Sequence, residues 1–310
     1  LIRAAQLAHQ QRTNPFDGLE NIQPQLSRSL LAHQQNARVE ELRDAKYQRI
    51  LESNPALSLL KGYARFKNQN TLLVHKSDGS EEELVADRIL IATGSTPSIP
   101  PIKGLVDTPY WTSTEALFAE ELPSSLVVIG SSVVALEIAQ AYARLGSRVT
   151  ILARHTLLYA EDPLLGEKLA ECFEKEGIRV LNNTQASHVS YDSNGFSLET
   201  NEGTLIAEKL LISTGRHANT GKLGLENVGV ETDKSGAIVV NSMMETSTAN
   251  IYAAGDCSNM PQFVYVAAAA GSRAGINMTG GNAQLDLSTM PAVIFTDPQV
   301  ATVGLTEVQA

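Results

Sequence analysis

Cysteine is scarce in this sequence, and basic residues are outnumbered by acidic ones. The 310 residues include only two cysteines, Cys172 and Cys257, and they lie far apart in the chain. This count excludes a disulfide scaffold and any CxxC or multi-cysteine metal site within the chain. With 24 Lys and Arg against 34 Asp and Glu, the net charge is −10. That balance argues against nucleic acid as the main partner, although it does not exclude a local basic pocket for a phosphate.

Long apolar runs are also absent. No stretch approaches the ~18–20 apolar residues of a membrane helix, and the chain does not open with the basic and apolar segments of a secretory signal. Hydrophobic residues make up 43% of the sequence, which is enough for buried cores. Because domains usually have roughly 100–200 residues, the 310 residues of this chain suggest two or three domains. We therefore expect a cytoplasmic α/β protein without a membrane partner.

Both ends of the sequence resemble interrupted elements. Residues 1–8 follow an i, i+3, i+4, i+7 helical pattern from the first position. At the other end, Thr306 and Glu307 resemble a helix start shortly before the last residue. We expect a fragment cut at both ends.

Helix and strand signals alternate between these ends. Runs without Gly or Pro indicate helices, and short apolar runs separated by Gly-containing turns indicate strands. The sequence predicts, in chain order, a long helix at 26–52, strands around a turn at Asp78-Gly79, a strand at 88–94, a proline-rich linker at 97–109, a β-α-β unit at 126–154, a helix with Asp162 as N-cap and Pro163 in its first turn, and three strands joined at Asn194-Gly195 and Glu202-Gly203.

An internal repeat indicates two nucleotide-binding halves. ADRILIATGSTP (86–97) and AEKLLISTGRHA (207–218) share the same pattern, and each is predicted to contain the last strand of one half. The second half has a β-α-β unit that opens at Gly130. Residues 1–94 contain no Gly-x-Gly turn, so we expect the corresponding turn of the first half upstream of Leu1.

The turn after the strand LVVIG is a candidate phosphate site. The run GSSVVA, which begins at Gly130, stands where a G-x-G-x-x-G/A turn would stand. Glycine permits the tight turn, and the following helix N-terminus offers free N–H groups and partial positive charge to a pyrophosphate. Because Ser132 replaces the second glycine, an ordinary strand-to-helix turn is the alternative.

Arg154 stands near the end of the next strand. An acidic residue here would bind the ribose 2′-OH of NAD. An arginine can instead hold a 2′-phosphate as a bidentate charged donor, which predicts NADPH as the coenzyme. A solvated arginine at a strand end is the alternative.

A second charged candidate is Asp256, delivered by the strand-like run IYAAGDCS. A nearly uncharged segment of small residues follows it, and such a segment can lie close to a large flat ligand. We expect the Asp256 carboxylate to accept hydrogen bonds from ligand hydroxyls. The alternative is that Asp256 caps the following helix.

The strings TGSTPSIPPIKG, GSSVVALE, STGR and AAGD occur in this order and resemble the flavin- and nicotinamide-dependent disulfide oxidoreductases. The runs PYWTSTEAL and MPAVIFTDPQVATVG are most similar to family members that reduce Hg(II). The resemblance implies an α/β fold with two Rossmann-like FAD/NAD(P)-binding domains of the disulfide reductase type and the start of an α+β interface domain. It divides the chain into an FAD-binding domain at 1–94 whose N-terminal part is missing, an NADPH-binding domain at 95–217, a return to the FAD or central domain at 218–289, and the start of a truncated dimerisation domain at 290–310.

The same resemblance implies roles for individual residues. Glu137 matches a helix acid whose family partner is a lysine near the redox disulfide, and Tyr47 matches a substrate-side tyrosine near thiolate-bound metal. Helix packing is the alternative for Tyr47. The remaining matches are Ala64, Thr93, Gly94, Asp256 and Val264 for FAD, with Asp256 on the ribityl chain, and Gly130, Ser131, Val134, Arg154 and Gly215 for nucleotide binding.

Some positions depart from the family pattern. Ala160 stands where relatives that use NADPH often carry a second arginine, so preference for NADPH is expected to be weaker. The family's redox cysteine pair would lie upstream of Leu1 and a second pair beyond Ala310. Neither Cys172 nor Cys257 fits those roles.

The resemblance therefore implies that NADPH reduces FAD, which reduces a cysteine pair and then Hg(II), giving Hg(0), within a homodimer. We expect this chain alone to be inactive. Two alternatives stay open: another FAD-dependent disulfide reductase of the same family, or, for this chain alone, a non-catalytic nucleotide-binding module.

Overall fold

The structure, a computed structural model, describes residues 1–306, which form two compact units. The first unit comprises residues 1–53, 97–215 and 291–303, and the second comprises 54–96, 216–290 and 304–306. Glu307, part of the expected C-terminal helix start, lies outside the described residues. No helix among residues 1–306 is long and apolar enough to cross a membrane.

Seven α-helices and sixteen strands are assigned within residues 1–306. The helices are α1 (Ile2–Arg12), α2 (Arg28–Arg43), α3 (Arg49–Ser53), α4 (Ser113–Phe118), α5 (Val133–Leu145), α6 (Pro163–Lys175) and α7 (Val264–Met278). The strands are β1 (Tyr63–Asn68), β2 (Thr71–His75), β3 (Glu81–Val85), β4 (Ile89–Ile91), β5 (Ser95–Pro97), β6 (Ser125–Ile129), β7 (Arg148–Leu152), β8 (Arg179–Leu181), β9 (Ala186–Asp192), β10 (Gly195–Thr200), β11 (Gly203–Ala207), β12 (Lys209–Ile212), β13 (Arg216–Ala218), β14 (Ile251–Ala253), β15 (Pro291–Ile294) and β16 (Val300–Val303).

A parallel sheet with strand order β12-β6-β7-β8 forms the centre of the first unit. Successive side chains of β6 point to opposite faces. Leu126 and Val128 pack in the core that contains α5, whereas Val127 and Ile129 pack in the core that contains the antiparallel strands β9 to β11. Because both faces are covered, β6 is apolar almost throughout, as buried parallel strands usually are.

The helix ends in this unit follow from local chemistry. Asp162 caps α6 by accepting from the Leu164 N–H, and Pro163 occupies the first helical position. Helix α5 ends at Gly146, whose φ of +121° suits glycine. The antiparallel hairpin β15–β16 also belongs to this unit and contributes Ile294 and Val300 to the α5 core.

The second unit contains an antiparallel sheet β1-β2-β3 and a parallel pair β14-β4. Ala270 and Ala274 of α7 are fully buried in one core with Ile91 and Ala253. Small side chains on α7 thus bring the helix close to the paired strands. Strand β13 pairs with β5, so the ends of the two repeated segments meet.

Most predicted elements agree with the structure, with two differences. The helix expected at 26–52 is divided, because residues Asp44–Gln48 form a π-helical turn between α2 and α3. The linker expected at 97–109 was wrong, because Leu105 within it is fully buried in the first unit.

The compact units also differ from the four functional segments expected from the resemblance. Residues 1–53 group with 97–215, and residues 54–96 group with 216–290. The functional division at 94, 217 and 289 stays a prediction.

Candidate functional site

A cavity of about 740 Å³ lies at the carboxyl ends of β6 and β7 in the first unit. Its wall contains four of the residues singled out from the sequence, namely Gly130, Ser131, Arg154 and Gly215. Clefts at the carboxyl ends of parallel strands are the usual ligand sites of open α/β sheets.

The turn between β6 and α5 can accept only a glycine at its first position. Gly130 has φ +135°, and an added Cβ would lie 2.1 Å from the Ser213 carbonyl oxygen. Ser132 is the N-cap residue of α5, yet its side chain accepts no backbone hydrogen bond, and the first turn holds no acid. The first amides of α5 are therefore available to an anion at the helix N-terminus.

Arg154 follows β7 and is exposed at the cavity wall. Its guanidinium forms no ion pair with any acidic group in the described part of the chain. The rings of His155 and Tyr159, which also line the cavity, lie 5.2 Å apart between centroids. An uncompensated arginine beside a helix N-terminus fits a ligand with more than one phosphate.

Val134 and Glu137 lie on α5 but do not line this cavity. Val134 is exposed. The Glu137 carboxylate accepts a hydrogen bond of 2.8 Å from the Phe295 N–H. Burial raises the pKa of Glu137, while this hydrogen bond lowers it to a lesser extent. Glu137 thus contacts the segment that follows β15.

Three polar side chains of α5 bind that segment. In addition to Glu137, Gln140 accepts from the Asp297 N–H at 2.8 Å and donates to the Asp297 carbonyl oxygen at 2.7 Å. Arg144, whose side chain is 5% exposed, forms two hydrogen bonds with Glu176, of 2.7 and 2.6 Å, and lies 3.0 Å from the Asp297 carboxylate. The helix that begins at the cavity therefore also anchors the β15–β16 hairpin.

A smaller cavity of about 290 Å³ lies in the second unit, and Asp256 and Gly94 line it. Its other wall residues are Leu90, Ala92, Ala254, Gly255, Ala267 and Gly271. All of these except Leu90 are small, so the backbone is exposed to a flat ligand. Helix α7 has Phe263 as its N-cap residue. The alternative that Asp256 caps this helix is therefore wrong.

Two residues that the sequence reading had not singled out brace the loop beside Asp256. Arg216 donates to the Ser95 hydroxyl and carbonyl oxygens at 2.7 Å each, and lies 3.9 Å from the Asp256 carboxylate, which accepts from Ser95 at 2.8 Å. Asn219 exchanges hydrogen bonds with Thr93 and accepts from Thr96. Arg216 lies within the second copy of the repeat and Asn219 directly follows it, and this position was the available signal.

The remaining sequence candidates lie outside both cavities. Tyr47 is 66% exposed in the π-helical turn, so packing on the helix face does not account for it. Ala64 is exposed on β1, and Val264 is 84% exposed at the start of α7.

The two cysteines lie in different units. Cys172 is partly exposed on α6, and Cys257 is buried beneath the loop of Asp256. Residues 1–306 contain no cluster of three or more His, Cys, Asp or Glu side chains suited to a metal ion.

Comparison with known proteins gives a consistent result. The profile of the pyridine nucleotide-disulphide oxidoreductase family matches residues 5–271. The chain is 77% identical over 310 residues to a mercuric reductase of Shewanella putrefaciens and 58% identical over 311 residues to one of Acidithiobacillus ferrooxidans. These alignments cover all of this chain and 56% and 57% of those proteins, so the chain spans a little over half the length of these curated relatives.

Two solved structures show the same fold. The HOCl-induced flavoprotein disulfide reductase RclA from Escherichia coli superposes with a TM-score of 0.84 at 28% identity, covering 99% of this chain and 68% of that one. LpdA from Mycobacterium tuberculosis gives the same TM-score, identity and coverage.

Proposed function

The chain belongs to the pyridine nucleotide-disulphide oxidoreductase family, and from that premise we propose that it supplies nucleotide-binding units of an FAD- and NADPH-dependent reductase of Hg(II). The observation that carries the nucleotide part is the cavity of the first unit. There an uncapped helix N-terminus and the unpaired Arg154 share one wall. The Hg(II) part is supported by the 77% and 58% identity to mercuric reductases.

The residues of the first cavity fit NADPH. Gly130 and Ser131, with the first amides of α5, would hold the pyrophosphate, and Arg154 would hold the 2′-phosphate. Gly215 contributes backbone to the same wall. In this arrangement the pyrophosphate would face the amides of α5, and the 2′-phosphate would face the Arg154 guanidinium, within a partly enclosed site.

The residues of the second cavity fit part of FAD. The glycine and alanine wall suits a flat ring or an extended chain, and Asp256 would accept from ribityl hydroxyls. Ser95 and Arg216 hold the Asp256 carboxylate in place. Thr93, Gly94, Ala64 and Val264 are the further proposed contacts. When bound, NADPH would supply hydride chemistry and FAD would supply two-electron redox chemistry towards thiols; the residues named here would hold and orient both groups.

The Hg(II) step requires thiolates, because soft sulfur ligands suit a soft metal ion. We propose that Tyr47 lies on the substrate side, that Glu137 has a lysine partner, and that the enzyme acts as a homodimer. A reductase of a small disulfide is the second candidate, favoured by the structural similarity to the flavoprotein disulfide reductase RclA.

Expression of the whole coding sequence that contains this chain separates the two functions. The purified protein should oxidise NADPH on addition of Hg(II) buffered by excess thiol, and release volatile Hg(0). Oxidised glutathione, added in place of Hg(II), should give little NADPH oxidation. The opposite preference would support the small-disulfide reductase and overturn the mercury assignment.

A further inference from the structure

The segment 154–159 of the first unit carries three cavity side chains at its ends and buries its middle. Arg154, His155 and Tyr159 line the cavity. Leu157 and Leu158 are 1% and 4% exposed and pack in the core of α5. The backbone of 154–159, here called the selector loop, therefore determines where the proposed 2′-phosphate ligand Arg154 stands.

The selector loop contains a backbone conformation that leucine rarely adopts. Leu158 has φ +50°, a left-handed value that is a true outlier for a bulky residue. Its N–H donates to the Ser131 carbonyl oxygen at 3.0 Å. The unusual conformation thus connects the selector loop to the turn that begins at Gly130. Strained residues held by their surroundings concentrate at functional sites.

Two other elements hold the same loop. The Asn183 N–H donates to the His155 carbonyl oxygen at 2.9 Å, and Asn183 itself has φ +53°. Behind the loop, α6 approaches so closely that a Cβ on Gly166 would lie 2.1 Å from the Leu157 carbonyl oxygen. A side chain at position 166 would therefore have to displace the loop backbone.

We propose that Gly166 and Asn183 are specificity-determining positioning residues that act on coenzyme choice through the selector loop without touching the coenzyme. Neither residue lines the cavity. The loop is pre-organised by Ser131 in front, Asn183 at one end and Gly166 behind, so that Arg154 needs no rearrangement to meet a phosphate. The inference rests on the proposed binding of NADPH.

Gly166→Ala is the direct test on the 310-residue chain. Isothermal titration calorimetry with NADPH and NADH gives the ratio of the two dissociation constants. Complete loss of a charged hydrogen bond corresponds to roughly tenfold to hundredfold, so a displaced Arg154 should lower the preference for NADPH by about threefold to tenfold. Gly275→Ala on α7 is the matched control, because a Cβ there meets nothing within 4 Å; it should leave the ratio unchanged.

Asn183 supplies a second test that does not disturb the core, because its side chain is exposed. Asn183→Gly retains access to positive φ and should keep the wild-type preference, whereas Asn183→Ala should lower it. Melting temperatures identify variants that weaken both coenzymes by unfolding. Equal loss of both coenzymes in folded Gly166→Ala and Asn183→Ala, or an unchanged ratio, would overturn the inference. A wild-type chain without any preference would refute the NADPH proposal and this inference with it.

Discussion

Arg154 stands at the cavity wall with a full positive charge that no acid within residues 1–306 pairs. The contribution of Arg154 to the binding free energy therefore depends on whether the ligand carries a phosphate that the guanidinium can contact. We predict that Arg154→Glu raises the dissociation constant for NADPH by roughly tenfold to a hundredfold, since a charged hydrogen bond contributes about 1.5–3 kcal/mol. The constant for NADH should change much less. Calorimetric titration of both coenzymes measures the difference.

Arg148→Glu provides a control for this charge change. Arg148 is exposed at the start of β7, the strand that Arg154 follows, and it does not line the cavity. If Arg148→Glu weakens NADPH as much as Arg154→Glu, general repulsion explains the effect and the assignment of the 2′-phosphate to Arg154 is wrong.

Asp256 presents a different situation, because two neighbours already hold its carboxylate. Asp256→Ala should lower the FAD bound per subunit in the protein made from the whole coding sequence, while the fold persists. Absorbance of the purified protein at the flavin and protein maxima gives the ratio. Asp78→Ala, at a surface turn, is the control. Full flavin content in Asp256→Ala would remove this residue from the FAD site.

Whole elements were predictable where one signal determined one boundary. Asp162 and Pro163 defined the start of α6, and Gly146 defined the end of α5. The Gly130 turn was predictable for the same reason, because any other residue would place its Cβ 2.1 Å from the Ser213 carbonyl oxygen. Other features depend on partners far away in the chain. Asn219 binds Thr93 across more than a hundred residues, and no local pattern indicates such a contact.

The packing of the β15–β16 hairpin against α5 likewise could not be predicted from the sequence. Gln140 and Arg144 look like ordinary polar residues of an amphipathic helix. In the structure they are buried because Glu176 and the backbone of Asp297 satisfy them. Burial of a charge is acceptable only with such partners.

Removal of one partner should therefore be costly. We predict that Glu176→Ala lowers the free energy of unfolding by about 1.5–3 kcal/mol, because Arg144 loses its two charged hydrogen bonds to Glu176 and keeps only the half-exposed Asp297 carboxylate as a counter-charge. Urea unfolding followed by circular dichroism measures the change. Glu171→Ala, which breaks an exposed pair with Lys168 on the same helix, should have little effect. Similar losses in both variants would contradict a special role of the Arg144 network.

The contact between Glu137 and the hairpin predicts a pH dependence. Because burial raises the pKa of Glu137, the folded chain favours the protonated carboxyl. Its stabilising contribution is complete below the ordinary glutamate pKa and is lost as pH rises through the raised folded value.

Glu137→Gln cannot ionise and can still accept from the Phe295 N–H. At about pH 8 this variant should need more urea to unfold than the wild type, and the difference should shrink towards about pH 4. A difference that is constant with pH would show that ionisation of Glu137 does not contribute.

At the scale of the whole chain, the distribution of cysteine limits what these 310 residues can do. The sequence contains two cysteines, and they belong to different units. Cys257 is fully buried. Neither unit therefore contains a cysteine pair of its own that could accept an electron pair and transfer it to a metal ion.

We therefore predict that the 310-residue chain, mixed with NADPH, FAD and Hg(II), shows no mercury-dependent loss of absorbance at the NADPH maximum. The protein made from the whole coding sequence is the positive control, and a reaction without protein is the negative one. Mercury-dependent turnover by the 310-residue chain would refute the proposal that a cysteine pair outside these residues performs the metal step.

The interleaving of the two units has a consequence for synthesis on the ribosome. The core around Leu126 and α5 includes Ile294 and Val300, which are translated after almost the entire second unit. A domain usually folds once its last core residues emerge. Here a nascent chain that already carries the complete parallel sheet still lacks the hairpin that satisfies Gln140 and contributes a partner to Arg144. Until residues 294–300 have been synthesised, the first unit therefore lacks part of its core, and Gln140 and Arg144 lack their partners in the segment of Asp297.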